Sequence, residues 1–172
     1  MDRFVCIRDK SARHFCLVDG KNALYKLNVE PDDPADYLAL WQYAQQKHVT
    51  VSEAAAELLQ KAHPLSWSLV ELDIHPDPEK PYLDLPYAAP EVWGAAFTYL
   101  RGEQTLETPL IQERRSKHPV IFFKATPHRC VGPNAPVGSR GDAHLMIPEP
   151  ELGLILSSKG DVIGYTIVND VS

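Results

Sequence analysis

The sequence predicts an α+β fold that is mostly β, on three observations. Near its start, runs rich in β-branched and aromatic residues alternate with turn residues, at Phe4–Ile7, His14–Val18 and Ala23–Leu27. Between residues 37 and 62, apolar residues recur at helical spacing. From Tyr82 onward the pattern returns to short apolar runs broken by proline and glycine, and the last two of these read as a hairpin.

The first three runs, with Asp19-Gly20 leading from the second to the third, predict a small antiparallel sheet. Asp32-Asp33-Pro34 predicts a helix start, an acidic cap with proline in the first turn. Tyr37, Leu38, Leu40, Trp41 and Ala44 then form one face, and the helix ends near His48. Thr50-Val-Ser-Glu53 has the spacing of a capping box and opens a second helix over 53–62, with Ala55, Leu58 and Leu59 on one side. His14, His48 and His63 have no mutual spacing suited to a metal and read as surface or structural residues. The proline-dense stretch His75–Pro81 disfavours helix and interrupts any ladder. It divides an N-terminal α+β domain with its linker, 1–80, from a second domain, 81–172.

Composition narrows the function classes. The chain of 172 residues has the apolar fraction of an ordinary protein with a core, and its net charge of −6 with interleaved signs lacks the basic face of a nucleic-acid groove. Small molecules are the expected partners, with no nucleic acid and no membrane. Cys6, Cys16 and Cys130 are scattered and odd in number, which indicates neither a disulfide framework nor a zinc site, and points to a reducing cytoplasm. No charged leader with an apolar core stands at the N-terminus, and no apolar run approaches the roughly 20 residues needed to span a bilayer.

Chemistry concentrates in Ile147–Leu156 and Tyr165–Ser172. Glu149 and Glu151 stand two apart beside an apolar run, so in an extended segment their carboxylates project from one face. Asp170, at the end of the β-branched run Tyr165–Val168, can add a third oxygen group. Ser157–Asp161 supplies the turn between the two strands, with Gly160 as the position most tolerant of positive φ. Three acids on neighbouring strands repel unless protonated or neutralised, and a hard divalent cation, Mg²⁺, Mn²⁺ or Ca²⁺, is the simplest neutraliser. The alternative is that both glutamates form the wet face of an edge strand, a place that suits Pro150.

These residues carry a resemblance. Glu149-Pro-Glu-Leu152 with Gly164-Tyr-Thr-Ile-Val-Asn-Asp-Val-Ser172 resembles the metal box of the fumarylacetoacetate hydrolase superfamily, in which two glutamates and an aspartate hold Mg²⁺ or Mn²⁺. The short spacer and the Pro-Glu-Pro-Glu-Leu wording are similar to the branch of 2-keto-3-deoxy-pentonate (arabinonate or xylonate) dehydratases. The resemblance implies metal ligands at Glu149, Glu151 and Asp170, part of a mixed β-sandwich roll in the second domain, and a homodimer or higher homo-oligomer. Pro86–Tyr99 also resembles the superfamily, with Val92–Ala95 as its first core strand and Tyr99 leading to the active-site rim. Gly94, Ala95 and Ala96 are small enough for close approach by a packed strand or a ligand.

Beyond Tyr99 the chain departs from the hydrolases. They carry a histidine base three residues past the tyrosine, and Gly102 stands there in this chain. Arg101 beside it is similar to the dehydratase branch and suits the carboxylate of a 2-keto acid, with a solvated loop arginine as the alternative. The charged stretch 102–117 reads as a lid or a loop, and Glu103 and Glu107 are its candidate catalytic bases. Pro119–Lys124 predicts a buried strand, and Phe122-Phe-Lys-Ala-Thr-Pro127 resembles the superfamily's Phe-x-Lys element, so that Lys124 either faces an anion or snorkels to solvent. Cys130 reads as a packing residue rather than a nucleophile.

The implied reaction is metal-dependent dehydration of a 2-keto-3-deoxy sugar acid to a 2,5-dioxo acid. One alternative is an acylpyruvate- or fumarylacetoacetate-type carbon–carbon hydrolase or decarboxylase, which Gly102 disfavours. The other is an inactive fragment of such an enzyme. On the resemblance the domain continues past Ser172, so Tyr165–Val171 is expected to leave apolar surface uncovered and the chain as given to lack turnover.

Overall fold

The structure, a computed structural model, describes residues 2–72, 76–77, 79–96 and 120–172. Its contacts divide it into two units, Met1–Ala88 with Val131–Ser172, and Ala89–Cys130. The α+β, mostly β expectation holds: two α-helices accompany nine strands among the described residues.

In the larger unit, β1 (Arg3–Arg8), β2 (Arg13–Val18), β3 (Ala23–Lys26), β4 (Pro64–Ser68) and β5 (Tyr82–Asp84) form an antiparallel sheet in the order β4-β3-β2-β1-β5. Its turns are set by aspartates. Asp9 Oδ1 accepts from the main-chain N–H groups of Ser11 and Ala12 at 2.7 and 2.8 Å, and Asp19 Oδ1 accepts from those of Lys21 and Ala23, both at 2.8 Å. Beyond the proline-dense stretch, β5 returns to pair with β1, so the strand that opens the second part of the sequence completes the first sheet.

Helix α1 (Tyr37–Lys47) is capped by Asp36, whose side chain accepts from the Ala39 N–H at 2.9 Å. The helix starts later than Asp32-Asp33-Pro34 suggested because the Asp33 carboxylate is engaged elsewhere. It accepts from the Glu30 N–H and from Lys61 Nζ, each at 2.7 Å, and so stabilises a turn. The left-handed His48, φ 58°, ends α1. Helix α2 (Val51–Leu59) opens on the expected capping box: Thr50 Oγ1 accepts from the Glu53 N–H, while the Glu53 carboxylate accepts from the Thr50 N–H at 2.8 Å. It closes earlier than expected, with Gln60, Lys61 and Ala62 donating to carbonyls three residues back.

Alternation along β1 and β2 sends neighbouring apolar side chains to opposite faces of the sheet, and both faces are covered. Cys6 and Phe15 pack with Leu27, Leu40, Ala44, Ala54, Ala55 and Leu58 beneath the helices. Ile7, Cys16, Val18 and Leu24 pack with Leu72 of a short 3₁₀ turn, Leu69–Leu72, on the other side. His14 is buried, with Nε2 hydrogen-bonded to Asp9 Oδ2 at 2.9 Å, and is structural.

In the smaller unit, β6 (Val92–Ala96) pairs antiparallel with β7 (Val120–Ala125). Gly94 lies under the Phe122 ring, so strand packing explains the small residue, and Trp93 meets Phe123 edge-on at 5.7 Å. The expectation of a buried strand at Pro119–Lys124 needs correction. The strand forms, but Ile121 and Phe123 are 62% and 50% exposed, because a two-stranded ribbon covers its side chains only with its partner's.

Candidate metal centre

Strands β8 (Pro150–Leu156) and β9 (Val162–Asn169) form the predicted hairpin in the larger unit. The turn is closed by Ser157 N–H donating to the Asp161 carbonyl at 2.9 Å, and Gly160 takes φ 86°, the conformation its position called for. Glu151 pairs with Val168, Gly153 with Thr166 and Ile155 with Gly164. The ladder continues past the strand ends in the same register. Asp170 donates its N–H to the Glu149 carbonyl at 2.8 Å, and Ile147 and Ser172 exchange bonds of 2.8 and 3.1 Å.

That register has a chemical consequence. Residues 149, 151, 153 and 155 point to one side of β8, and their partners 164, 166, 168 and 170 point to the same side of β9. Glu149, Glu151 and Asp170 therefore share one face at one end of the hairpin, and all three are half-buried. Glu149 stands opposite Asp170, where paired Cα atoms are about 5.5 Å apart, and Glu151 is one pleat further along β8, about 6.6 Å from Glu149. Asp170 Oδ1 is buried.

The prolines sharpen the placement. Pro150 stands opposite Asn169, a position not bonded across the ladder, and Pro148 falls at the equivalent position opposite Val171. Their missing N–H groups thus cost the hairpin no bond, and each proline restricts the residue before it, Ile147 or Glu149, to extended backbone. The Glu149 N–H goes to Asn169 Oδ1 at 2.9 Å, and Ser172 Oγ donates to Glu149 Oε2 at 3.2 Å. Sequence reasoning missed Asn169 and Ser172. The signal available was a lone N–H donor between two prolines, placed across from an asparagine.

The opposite face is apolar and exposed. Leu152, Leu154, Leu156, Tyr165 and Ile167 point outward from it, Ile167 at 84% exposure, as expected for an uncovered Tyr165–Val171 segment. At the other end of the acid-bearing face, Tyr37 of α1 lies against Gly164 and donates its hydroxyl to the Ile163 carbonyl. Ile155 is buried.

Among the described residues no group of three or more His, Cys, Asp or Glu side chains already converges as a metal cage. The donor set nevertheless fits a hard cation: three carboxylates, one face, adjacent backbone positions and no soft ligand among them. Of the expected substrate residues, Lys124 lies on β7 in the smaller unit and is half-buried. Tyr99, Arg101, Glu103 and Glu107 lie outside the described residues.

No family model matches the chain. Among curated proteins it is 33% identical over 154 residues to a probable 2-keto-3-deoxyxylonate dehydratase of Haloferax volcanii, across 86% of this chain and 50% of that protein. It is 38% identical over 97 residues to the 2-dehydro-3-deoxy-D-arabinonate dehydratase of Saccharolobus solfataricus, across 51% of this chain and 33% of that protein. Solved structures of a 2-keto-3-deoxy-D-arabinonate dehydratase, one in the apo form and one complexed with magnesium and 2,5-dioxopentanoate, match with TM-score 0.69 and 26% identity. Both matches cover 100% of this chain and 56% of the other.

Fold and relatives together define an α+β chain related to sugar-acid dehydratases. The particular resemblance read from the acid box, to the 2-keto-3-deoxy-pentonate dehydratase branch, is borne out. The chain spans about half the length of the first of these relatives and a third of the second. No helix among the described residues is long and apolar enough to cross a membrane.

Proposed function

We propose that the protein to which this sequence belongs dehydrates a 2-keto-3-deoxy-pentonate to 2,5-dioxopentanoate, with a divalent cation held by Glu149, Glu151 and Asp170. The observation that carries the reading is the hairpin register, which gathers three carboxylates from two strands onto one half-buried face. The magnesium and 2,5-dioxopentanoate bound by a structural relative support it. Glu149, Glu151 and Asp170 would hold the Mg²⁺ (or Mn²⁺), which when bound would supply Lewis-acid chemistry to a 2-keto acid, worth several kcal/mol towards loss of a C3 proton.

The chain's own groups then have separable tasks. Arg101 pairs with the substrate carboxylate, a match that a planar guanidinium makes through two parallel bonds. Tyr99 and Lys124 complete the substrate contacts, Lys124 as a cation towards an anionic group. Glu103 or Glu107 removes the C3 proton. The C4–O bond breaks and hydroxide takes up a proton and leaves as water; the resulting 5-hydroxy-2-oxo-3-enoate loses a proton from C5 and gains one at C3, and the C4–C5 enol so formed tautomerises to the 2,5-dioxo acid. Gly102 has no proton acceptor for water attack, which favours dehydration over acylpyruvate hydrolysis. The active assembly on this reading is a homodimer or higher homo-oligomer.

The test follows formation of 2,5-dioxopentanoate from 2-keto-3-deoxy-arabinonate and -xylonate with added Mg²⁺, against loss of an acylpyruvate chromophore under the same conditions. It is run on this chain and on a longer form extended to the length of its relatives. Dehydration without acylpyruvate cleavage is expected, and fast acylpyruvate cleavage without dehydration would overturn the reading.

A further inference from the structure

We propose that Asn169 is a positioning residue for Glu149: by accepting its main-chain N–H, Asn169 fixes where the Glu149 carboxylate stands relative to Asp170. The inference rests on the metal-site reading and extends it to a residue that is not itself a ligand. Three features of the hairpin carry it.

Glu149 lies between Pro148 and Pro150, so it owns the single N–H of that tripeptide. In the ladder register Glu149 and Asp170 are partners, and a regular pair would exchange two bonds. Asp170 donates to the Glu149 carbonyl, but the Glu149 N–H is taken by Asn169 Oδ1 at 2.9 Å. The asparagine side chain thus replaces one rung of the ladder at the residue whose side chain shares a face with Asp170.

Ser172 Oγ also donates to Glu149 Oε2 at 3.2 Å, so main chain and carboxylate are each tied to the β9 side. With Glu149 held in extended backbone by the proline that follows, little freedom is left at that residue. Like-charged carboxylates would otherwise drift apart before a cation arrives. Holding the main chain in advance lowers the ordering cost of binding.

The 172-residue chain is titrated with Mn²⁺, reading the free ion by electron paramagnetic resonance, alongside Asn169→Ala, Asn169→Leu and Asn169→Asp. Amide hydrogen exchange at Glu149 and the thermal midpoint are recorded on the metal-free proteins. Because Asn169 is exposed, the midpoint should scarcely move. Asn169→Ala and Asn169→Leu should weaken Mn²⁺ binding by about 10- to 100-fold and speed exchange at the Glu149 amide. Asn169→Asp keeps an acceptor and should restore slow exchange and most of the affinity. Unchanged Mn²⁺ affinity in the Ala and Leu variants, beside a parent that binds, would overturn this proposal alone. A parent that binds no Mn²⁺ would overturn the metal reading and this proposal with it.

Discussion

Tyr37 lies against Gly164, and its hydroxyl donates to the Ile163 carbonyl, so helix α1 is fastened to strand β9 some way along the strand from Asp170. The acid-bearing hairpin thereby rests on the N-terminal α+β layer at one end, with Ile155 buried beside the contact. Burial holds the Tyr37 phenol above its ordinary range, which keeps it a donor at any working pH.

A side chain at residue 164 should be costly. A Cβ there would meet the Tyr37 ring at 2.9 Å, and that ring is backed by Phe4 at 5.5 Å between centroids. Gly164→Ala should therefore lower stability by about 1–3 kcal/mol through overpacking, and Tyr37→Phe by about 1 kcal/mol through the lost bond to Ile163. Urea midpoints of the two variants check this. A neutral Gly164→Ala would show that the contact is loose.

How much of this was legible in the sequence depends on what each feature requires. The capping box at Thr50 and Glu53, the turn glycine at 160 and the one-faced acids are local, since strand period and cap spacing are written in neighbouring residues. The pairing of β5 with β1, the Tyr37 contact and the exposure of Phe123 depend on which distant surfaces meet. An apolar run such as Val120–Phe123 reads as buried by composition alone, yet burial is decided by what lies across from it. The Asn169 bond fell between these cases: both partners were in view, but only the register showed that they face each other.

Cys6 and Cys16 should resist alkylation in the native state. Burial pushes both thiols up to about 12, and only the thiolate reacts, whereas Cys130 is half-buried. Native protein at pH 8 should lose Cys130 alone to iodoacetamide, and all three thiols in urea, as read by mass. The raised values also set a direction with pH. The unfolded chain releases these protons near 9 and the folded chain only near 12, so their contribution to stability is complete below 9 and is lost as pH rises towards 12. Cys6→Ala and Cys16→Ala should flatten that alkaline slope, whatever they cost in packing. An unchanged slope would contradict the assignment.

Acid should act on the Asp9–His14 pair. The His14 bond first, and those from Ser11 and Ala12 with it, hold the Asp9 carboxyl well below its usual range. The folded state therefore stays ionised where the unfolded chain has begun to take up a proton. Stability from Asp9 is fully present above about 4 and is lost as pH falls below it. Denaturation midpoints between pH 6 and 3 should fall more steeply for the parent than for Asp9→Asn, which lacks the titrating group. Parallel curves would remove Asp9 from the account.

The metal reading meets its most direct trial at Glu151. This residue sits opposite Val168, one pleat from Glu149 and diagonal to Asp170, and glutamine has nearly its volume while lacking its charge. Glu151→Gln should leave the metal-free hairpin intact, because the ladder that pairs residue 151 with Val168 is made by main chain. Removing one of three anionic ligands should nevertheless weaken a hard-cation site severely, since oxygen-ligated divalent ions are held chiefly by carboxylate charge. Calorimetric titration with Mg²⁺ and Mn²⁺ reads the affinity directly. A second readout comes from linkage, because an ion that binds only the folded chain raises its thermal midpoint with concentration, and that rise should shrink in Glu151→Gln and in Asp170→Asn alike. If both variants bound the ions as the parent does, the three acids would be no more than the wet face of an edge strand, and the dehydratase reading would have to find its cation elsewhere in the chain.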